Sequence, residues 1–238
     1  MNLLAALAFL TILPVRSSAR WEDNGKILYF SIVGLIIGGM LCGVDYAASF
    51  VFGPEFRSLI DVFFLAVITR GLHLDGLADT ADGLLSHRSR EESLQIMRDS
   101  RIGTMGVLAL VFCILFKWGG ILCMPEGKRW LFLLLAPAFA RSSLVIGLVL
   151  MPYARAEGGL AKHMTEAGKG TLLFVLIPAI LPFLFNWKVA VLMNLIFALC
   201  VALLLWFFKK KINGVTGDTL GGMCEIVECM ILMAGVLF

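Results

Sequence analysis

Long apolar runs recur along almost the whole of this chain, and they constrain its fold more than any other feature. Hydrophobic residues make up 60% of the 238 positions, charged residues only 16%, and the mean hydropathy is +0.92. A helix of about 20 apolar residues is long enough to cross a bilayer. A membrane β-barrel is not expected, because its strands would alternate apolar and polar residues instead of running continuously apolar. The sequence therefore predicts an all-α, polytopic membrane helical bundle in which residues 1–238 form a single transmembrane domain.

About seven transmembrane helices are predicted, near 28–52, 58–84, 103–124, 130–152, 171–186, 188–208 and 219–238. The apolar run before Pro14 is too short to span and lacks the basic start and cleavage site of a signal peptide. We interpret it as an interfacial or re-entrant helix. With a cytoplasmic N-terminus, thirteen basic residues fall on the inner side and four on the outer side. The positive-inside rule favours this orientation, so the long loops are predicted to face the cytoplasm from the cytoplasmic (inner) membrane.

The stretch GLHLDGLADTADGLLSHRSR, residues 71–90, brings three aspartates to the inner end of the second predicted span. Asp75, Asp79 and Asp82 are spaced four and three residues apart, which puts them on one helix face. Carboxylates crowded there repel one another unless a cation holds them, and Mg²⁺ commonly binds a few carboxylates, water and substrate phosphates. The alternative is that the three aspartates only face water at the end of the helix and bind no ion. The neighbouring Arg70 and His73 favour the metal site, because ionisable groups at membrane depth are costly.

A second acidic set lies in the segment NGVTGDTLGGMCEIVECMILMAG near the other end of the chain. Asp218 and Glu225 are seven residues apart on one face, and Glu228 lies almost one turn further into the span. A Gly-rich turn that opens a helix can present backbone N–H groups to a phosphate, although glycine in membrane helices often serves close packing. This span begins at the same inner surface as the first set. We therefore predict that the two acidic sets meet and hold one or two metal ions.

Several basic residues complete the predicted site. Arg98 and Arg101 open the third span and suit phosphate binding, whereas Arg141 lies within a span and needs an acid or a substrate oxygen as its partner. Ser89 and Glu92 form a capping-box pattern that predicts a short surface helix over about 90–99. Metal-binding carboxylates, basic groups and helix termini at one membrane surface indicate phosphoryl transfer, with a carboxylate or histidine accepting a proton.

The cysteines and the overall charge add little to this picture. The six cysteines lie in apolar segments without a CxxC pair, so we interpret them as packing residues. The net charge of +3 is small, and we expect no nucleic-acid partner.

Four segments, in the same order along nearly the whole chain, carry a resemblance to a known family. They are FLTILPV (9–15), GLHLDGLADTADGLLSHRSREESLQIMRDSRIGTMGVLAL (71–110), ARSSLV (140–145) and GVTGDTLGGMCEIVE (214–228). Together they resemble the cobalamin synthase family, the adenosylcobinamide-GDP ribazoletransferases. The resemblance implies a Mg²⁺-dependent integral membrane enzyme that joins adenosylcobinamide-GDP to α-ribazole, or to α-ribazole 5′-phosphate, and releases GMP.

We assign roles to the residues at the matching motif positions. The predicted metal ligands are Asp75, Asp79, Asp82, Glu225 and Glu228. The predicted catalytic residues are Asp82, His73 and Glu225. The predicted substrate contacts are Arg98, Arg101, Arg141, Asp218 and Thr219. The expected partners are the two small-molecule substrates and the lipid bilayer. A second copy of the chain and other enzymes of cobalamin synthesis are two further candidate partners.

Two other functions are weighed against this one. An ion-coupled membrane carrier would use buried acids as a relay, but its acids should lie near the midplane, and the halves of this chain show no internal symmetry. The CDP-alcohol phosphatidyltransferases have a similar acidic motif that requires an Ala-Arg pair after the second aspartate and glycine. Here Leu84, Leu85, Ser86 and His87 follow Gly83, so that likeness is one of chemistry only.

Overall fold

The fold was analysed on a computed structural model that describes residues 2–15, 24–155, 164 and 168–238. Three of the thirteen basic residues that are predicted on the inner side lie outside the described residues, namely Arg16, Arg20 and Lys162. The helices in this part of the chain are α1 (Asn2–Leu10), α2 (Phe30–Ser49), α3 (Pro54–Ile68), α4 (Leu72–Leu84), α5 (Arg90–Ile96), α6 (Thr104–Leu122), α7 (Glu126–Leu150), α8 (Leu176–Ile180), α9 (Trp187–Ile212) and α10 (Gly217–Ala234).

Five helical segments of the described chain are long and apolar enough to cross a membrane. They are Gly25–Ser49, Thr104–Leu122, Glu126–Leu150, Trp187–Ile212 and Gly217–Leu237. The first includes a 3₁₀ segment, Asn24–Tyr29, that leads into α2. The prediction of a polytopic helical membrane protein is therefore confirmed.

Two of the predicted spans differ from single long helices. The span predicted over 58–84 is divided into α3 and α4, because Arg70 and Gly71 adopt left-handed backbone conformations with φ of 57° and 67°. A right-handed helix cannot continue through two such residues. The span predicted over 171–186 consists of two 3₁₀ segments, Lys169–Val175 and Leu181–Leu184, on either side of α8.

The centre of the bundle is formed by α7 and α10, whose side chains are mostly buried, whereas α6 and α9 are mostly exposed. Helix α2 runs antiparallel to α7 at very close range. A Cβ atom added at Gly34 would lie 2.5 Å from the Cα atom of Ala138, and Ser31 and Ser142 share a hydrogen bond of 2.8 Å. Small residues at such a crossing let two backbones approach in a membrane, where no hydrophobic force drives helices together.

The predicted interfacial or re-entrant segment is the short helix α1. The backbone N–H of Ile12, just after it, donates to the carbonyl of Ile68 at 2.8 Å, so the end of α1 is fixed to the end of α3. The predicted surface helix is α5. Its capping box is confirmed, since the Ser89 N–H donates to Glu92 Oε2 at 2.9 Å and the Glu92 N–H donates to Ser89 Oγ at 3.3 Å.

Candidate active site

The two acidic segments meet because glycines let α4 and α10 come together. A Cβ atom at Gly76 would lie 2.8 Å from the carbonyl oxygen of Asp218, and one at Gly221 would lie 3.4 Å from the Cα atoms of both Gly76 and His73. Any larger residue at Gly76 would force the first turn of α10 away from α4. This contact places Asp75 and Asp218 on the same cavity.

The cavity between α4 and α10 has a volume of about 270 Å³ and two chemically different sides. Its polar side carries His73, Asp75, Arg155 and Asp218. Its apolar side is formed by residues from α1, α2 and α7, namely Phe9, Leu10, Phe30, Leu144 and Leu148. Pockets that bind small molecules commonly combine an apolar wall with a few convergent polar groups in this way.

Carboxylates outnumber cations on the polar side of the cavity. Arg155 Nη2 donates to Asp218 Oδ2 at 2.6 Å. The half-buried Asp79 is repelled by Asp75, Asp218 and Asp82 and attracted by Arg155. Among the residues that the structure describes, this concentration of like charge has Arg155 as its basic partner, and such an excess favours the binding of a cation.

Asp82 lies at the end of the predicted stripe and contacts the start of α6. Its two carboxylate oxygens accept the backbone N–H groups of Gly103 and Gly106 at 2.7 and 2.8 Å. These donors belong to the first turn of α6, where helix N–H groups have no partner within the helix and a negative charge is favourable. Gly106 also has no room for a side chain, because a Cβ there would overlap the Asp82 carboxylate. Asp82 therefore holds α4 and α6 together.

Glu225 and Glu228 are paired with basic residues and do not line the cavity. Lys117 Nζ donates to Glu225 at 2.5 Å and to Glu228 at 2.7 Å, and the Arg141 guanidinium donates to the other oxygen of Glu228. All four side chains are buried, with at most 6% of each exposed. The structure thus does not bring these two glutamates to the aspartates. The sequence requires either an acid or a substrate oxygen as the partner of Arg141, and in the structure the partner is an acid, Glu228.

The remaining predicted residues are divided between the cavity and its surroundings. His73 lines the cavity, is 3% exposed, and has no hydrogen-bond partner for Nδ1 among the described residues. Thr219 is buried and uses its hydroxyl in a capping box, accepting the Thr216 N–H at 2.8 Å. Arg98 and Arg101 are exposed and do not line the cavity. Arg101 donates to Asp99 at 2.6 Å, which lowers the pKa of Asp99 to about 2.

Sequence reasoning missed three residues that shape this region. Arg155 is the basic group of the cavity, but in the sequence it is one of many cytoplasmic cations. Phe9 reaches the cavity from α1, and no local pattern predicts that contact. Lys117 could have been found, since a lone lysine in an apolar span needs a buried acid as its partner.

The oxygen ligands at the cavity suit Mg²⁺ better than a softer metal. Within the described part of the chain, no three His, Cys, Asp or Glu side chains converge closely enough to hold a metal ion by themselves. Mg²⁺ is usually held by one or two carboxylates together with water and substrate phosphates. Asp75 and Asp218, the two carboxylates that line the cavity, therefore fit a Mg²⁺ ion whose coordination water and a phosphate substrate would complete, and the nearby Asp79 adds negative charge beside them.

Comparisons with known proteins identify the family of this chain. Residues 2–236 match the family described as cobalamin-5-phosphate synthase. The chain is 36% identical to an adenosylcobinamide-GDP ribazoletransferase of Chlorobaculum tepidum, across 100% of this chain and 95% of the relative. It is 39% identical to the protein of the same name from Alkaliphilus metalliredigens, across 96% of this chain and 92% of the relative. No solved structure matches the chain.

Proposed function

The chain belongs to the cobalamin-5-phosphate synthase family and acts as an adenosylcobinamide-GDP ribazoletransferase, and we propose that the cavity between α4 and α10 is its active site. The excess of carboxylates over cations at this cavity is the observation that carries the proposal. A diphosphate substrate cannot approach such a surface without a divalent cation. Mg²⁺ is therefore the cofactor that the site calls for, with Asp75 and Asp218 as its protein ligands and Asp79 adding negative charge beside them.

Bound Mg²⁺ would neutralise the charge that develops on the phosphoryl oxygens. Glu225 and Glu228 are better explained as partners of Lys117 and Arg141 than as ligands of this ion. Asp82, whose two oxygens accept N–H groups of α6, acts as the residue that positions α4.

The reaction needs a nucleophile, a base and a leaving group. A ribose hydroxyl of α-ribazole attacks the phosphorus that carries cobinamide, a new P–O bond forms, and the P–O bond to GMP breaks. His73 is the base that the cavity offers, because it lines the cavity and its Nδ1 has no hydrogen-bond partner among the described residues. Arg155, on the same side, is placed to contact the phosphate of the departing GMP.

The assay that tests this proposal measures GMP release by the purified protein in detergent, supplied with Mg²⁺, adenosylcobinamide-GDP and α-ribazole. EDTA should stop the release, and added Mg²⁺ should restore it. Asp75→Asn should lower turnover by about 100-fold and raise the Mg²⁺ concentration needed, because one ligand loses its charge. The matched control is Asp99→Asn, an aspartate outside the cavity, which should retain activity. Normal turnover of Asp75→Asn at low Mg²⁺ would rule out this metal site.

The multi-pass chain is proposed to lie in the cytoplasmic membrane with its active site facing the cytoplasm. The distribution of basic residues supports this orientation. Adenosylcobinamide-GDP is bulky and carries a charged diphosphate, so it does not cross a bilayer freely and sealed vesicles can test the orientation. Inside-out vesicles should release GMP from external substrates, whereas right-side-out vesicles should do so only after they are permeabilised. A homo-oligomer and contacts with other enzymes of the pathway are predictions that crosslinking in the same vesicles can test.

A further inference from the structure

We propose that the apolar side of the cavity binds the base of α-ribazole, and that Phe9 is a specificity-determining contact for it. This inference rests on the proposed function and adds which of the two substrates occupies the cavity. The adenosylcobinamide portion of the other substrate would remain outside, at the mouth.

The size of the cavity favours the smaller substrate. At about 270 Å³ the cavity is near the lower limit of ligand pockets, which commonly run from about 300 to 1,000 Å³. A planar base with one ribose is of this order, whereas a corrin macrocycle with its amide side chains is several times larger. The choice is therefore between two nucleosides, α-ribazole and the guanosine of the leaving group.

The chemistry of the apolar wall separates these two nucleosides. Guanine carries an amide edge and an exocyclic amine, which would lose their hydrogen bonds to water against Phe9, Leu10 and Leu148. The dimethylbenzimidazole base has two methyl groups, no exocyclic polar group and a wide aromatic face. Binding of such a base against aromatic and leucine side chains is favourable, because apolar surface is buried and no hydrogen-bond donor of the base is left unpaired.

Phe9 is fixed in position before any ligand binds. Its ring stacks on Phe30 with centroids 6.0 Å apart and planes 11° apart, and the Lys26 ammonium lies 5.3 Å from its centroid. Its backbone carbonyl accepts Arg70 Nη2 at 3.4 Å. A preorganised aromatic wall costs little conformational entropy when a ligand binds. Helix α1 thus brings a rigid ring to a cavity whose other walls come from distant parts of the chain.

The polar side of the cavity is the side that binds the ribose of α-ribazole in this proposal. His73 is buried, lines the cavity, and lacks a hydrogen-bond partner for Nδ1 among the described residues, whereas the apolar wall offers no such group. A base held against Phe9 leaves its ribose near His73 and Asp75. One pocket then binds the nucleophile and supplies its proton acceptor, with the phosphorus arriving from the mouth.

Steady-state kinetics with each substrate varied in turn tests the proposal. Phe9→Ala should raise KM for α-ribazole about tenfold, the loss expected for one aromatic contact, and should change KM for adenosylcobinamide-GDP by less than about twofold. Phe9→Leu keeps an apolar side chain and therefore protects the fold. It should also raise KM for α-ribazole more than KM for adenosylcobinamide-GDP, but by a smaller factor than Phe9→Ala. The matched control is Leu4→Ala on the same helix, where the side chain is 44% exposed and outside the cavity.

A second measurement uses the α-riboside of unsubstituted benzimidazole. The wild type should prefer α-ribazole because of its two methyl groups, and Phe9→Ala should reduce that preference. A rise in KM for adenosylcobinamide-GDP with unchanged KM for α-ribazole would overturn the proposal and place guanosine in the cavity. Equal effects of Phe9→Ala and Leu4→Ala would also overturn it. If the wild type releases no GMP from the complete mixture, the proposed function itself fails, which is a distinct result.

Discussion

The acidic residues of this chain fall into two regions that differ in how their charge is balanced. At the cavity, Asp75 and Asp218 lie beside Arg155, and the nearby Asp79 is repelled by both carboxylates. Deeper in the bundle, Glu225 and Glu228 are matched by Lys117 and Arg141 in a buried network with no net charge. In this protein the described basic residues leave part of the carboxylate charge at the cavity unbalanced, and that is where we propose the metal site. Where the protein supplies cations of its own, the carboxylates hold helices together.

Removing a cation from the balanced region should have the largest effect. Arg141→Met leaves Glu228 with Lys117 alone at full burial, and breaking a buried pair typically costs about 3–5 kcal/mol. We expect little folded protein in the membrane and a much lower unfolding temperature in detergent. The double variant Arg141→Met, Glu228→Gln should recover much of the loss, because the unpaired charge is gone. If the single variant were fully stable, the network would not hold the bundle together.

Removing a carboxylate from the unbalanced region should have the opposite effect on stability. Asp79→Asn relieves repulsion from Asp75 and Asp218, so the protein without Mg²⁺ should unfold at the same or a slightly higher temperature. Turnover should nevertheless fall by about 10- to 100-fold, because the loss of a charge beside the metal ligands weakens the binding of Mg²⁺. GMP release and thermal unfolding measured on the same preparation test both statements. A clear loss of stability would place Asp79 with the balanced carboxylates instead.

Asp82 belongs to neither region, because its carboxylate is held by backbone N–H groups of α6, and its replacement should have an intermediate effect. Asp82→Asn can still accept one backbone N–H from α6, but its amide group then faces the second donor, at a cost of about 1–3 kcal/mol. We expect lower thermal stability together with reduced turnover and an unchanged Mg²⁺ requirement. Asp82→Glu is the control, because it keeps the negative charge but moves the carboxylate away from the two backbone N–H groups. An increased Mg²⁺ requirement in Asp82→Asn would instead make Asp82 a metal ligand.

The smallest effect is expected at the arginine outside the cavity. Arg101→Gln removes an exposed side chain that donates to Asp99, so KM for both substrates should stay within about twofold of the wild type. Arg155→Gln removes the cation of the cavity and should raise KM for adenosylcobinamide-GDP far more. If the two substitutions raised KM for adenosylcobinamide-GDP equally, the substrate site would include the start of α6, as the sequence predicts.

The sequence by itself determined the membrane bundle and the family, and it predicts the inner position of both acidic segments. Each follows from a local property, namely the length of an apolar run, the placement of lysine and arginine, or a run of motif residues. It also predicted the capping box of α5, because a cap involves residues three positions apart.

Only the tertiary structure decided which acids keep a free charge. Glu225 belongs to the balanced region because Lys117, more than a hundred residues away, reaches it from another helix. Asp75 and Asp218 share a cavity because Gly76 admits the first turn of α10, and Phe9 lines it because α1 packs on α2. Helical spacing fixes which residues share a face, but the partner of that face depends on how distant helices pack.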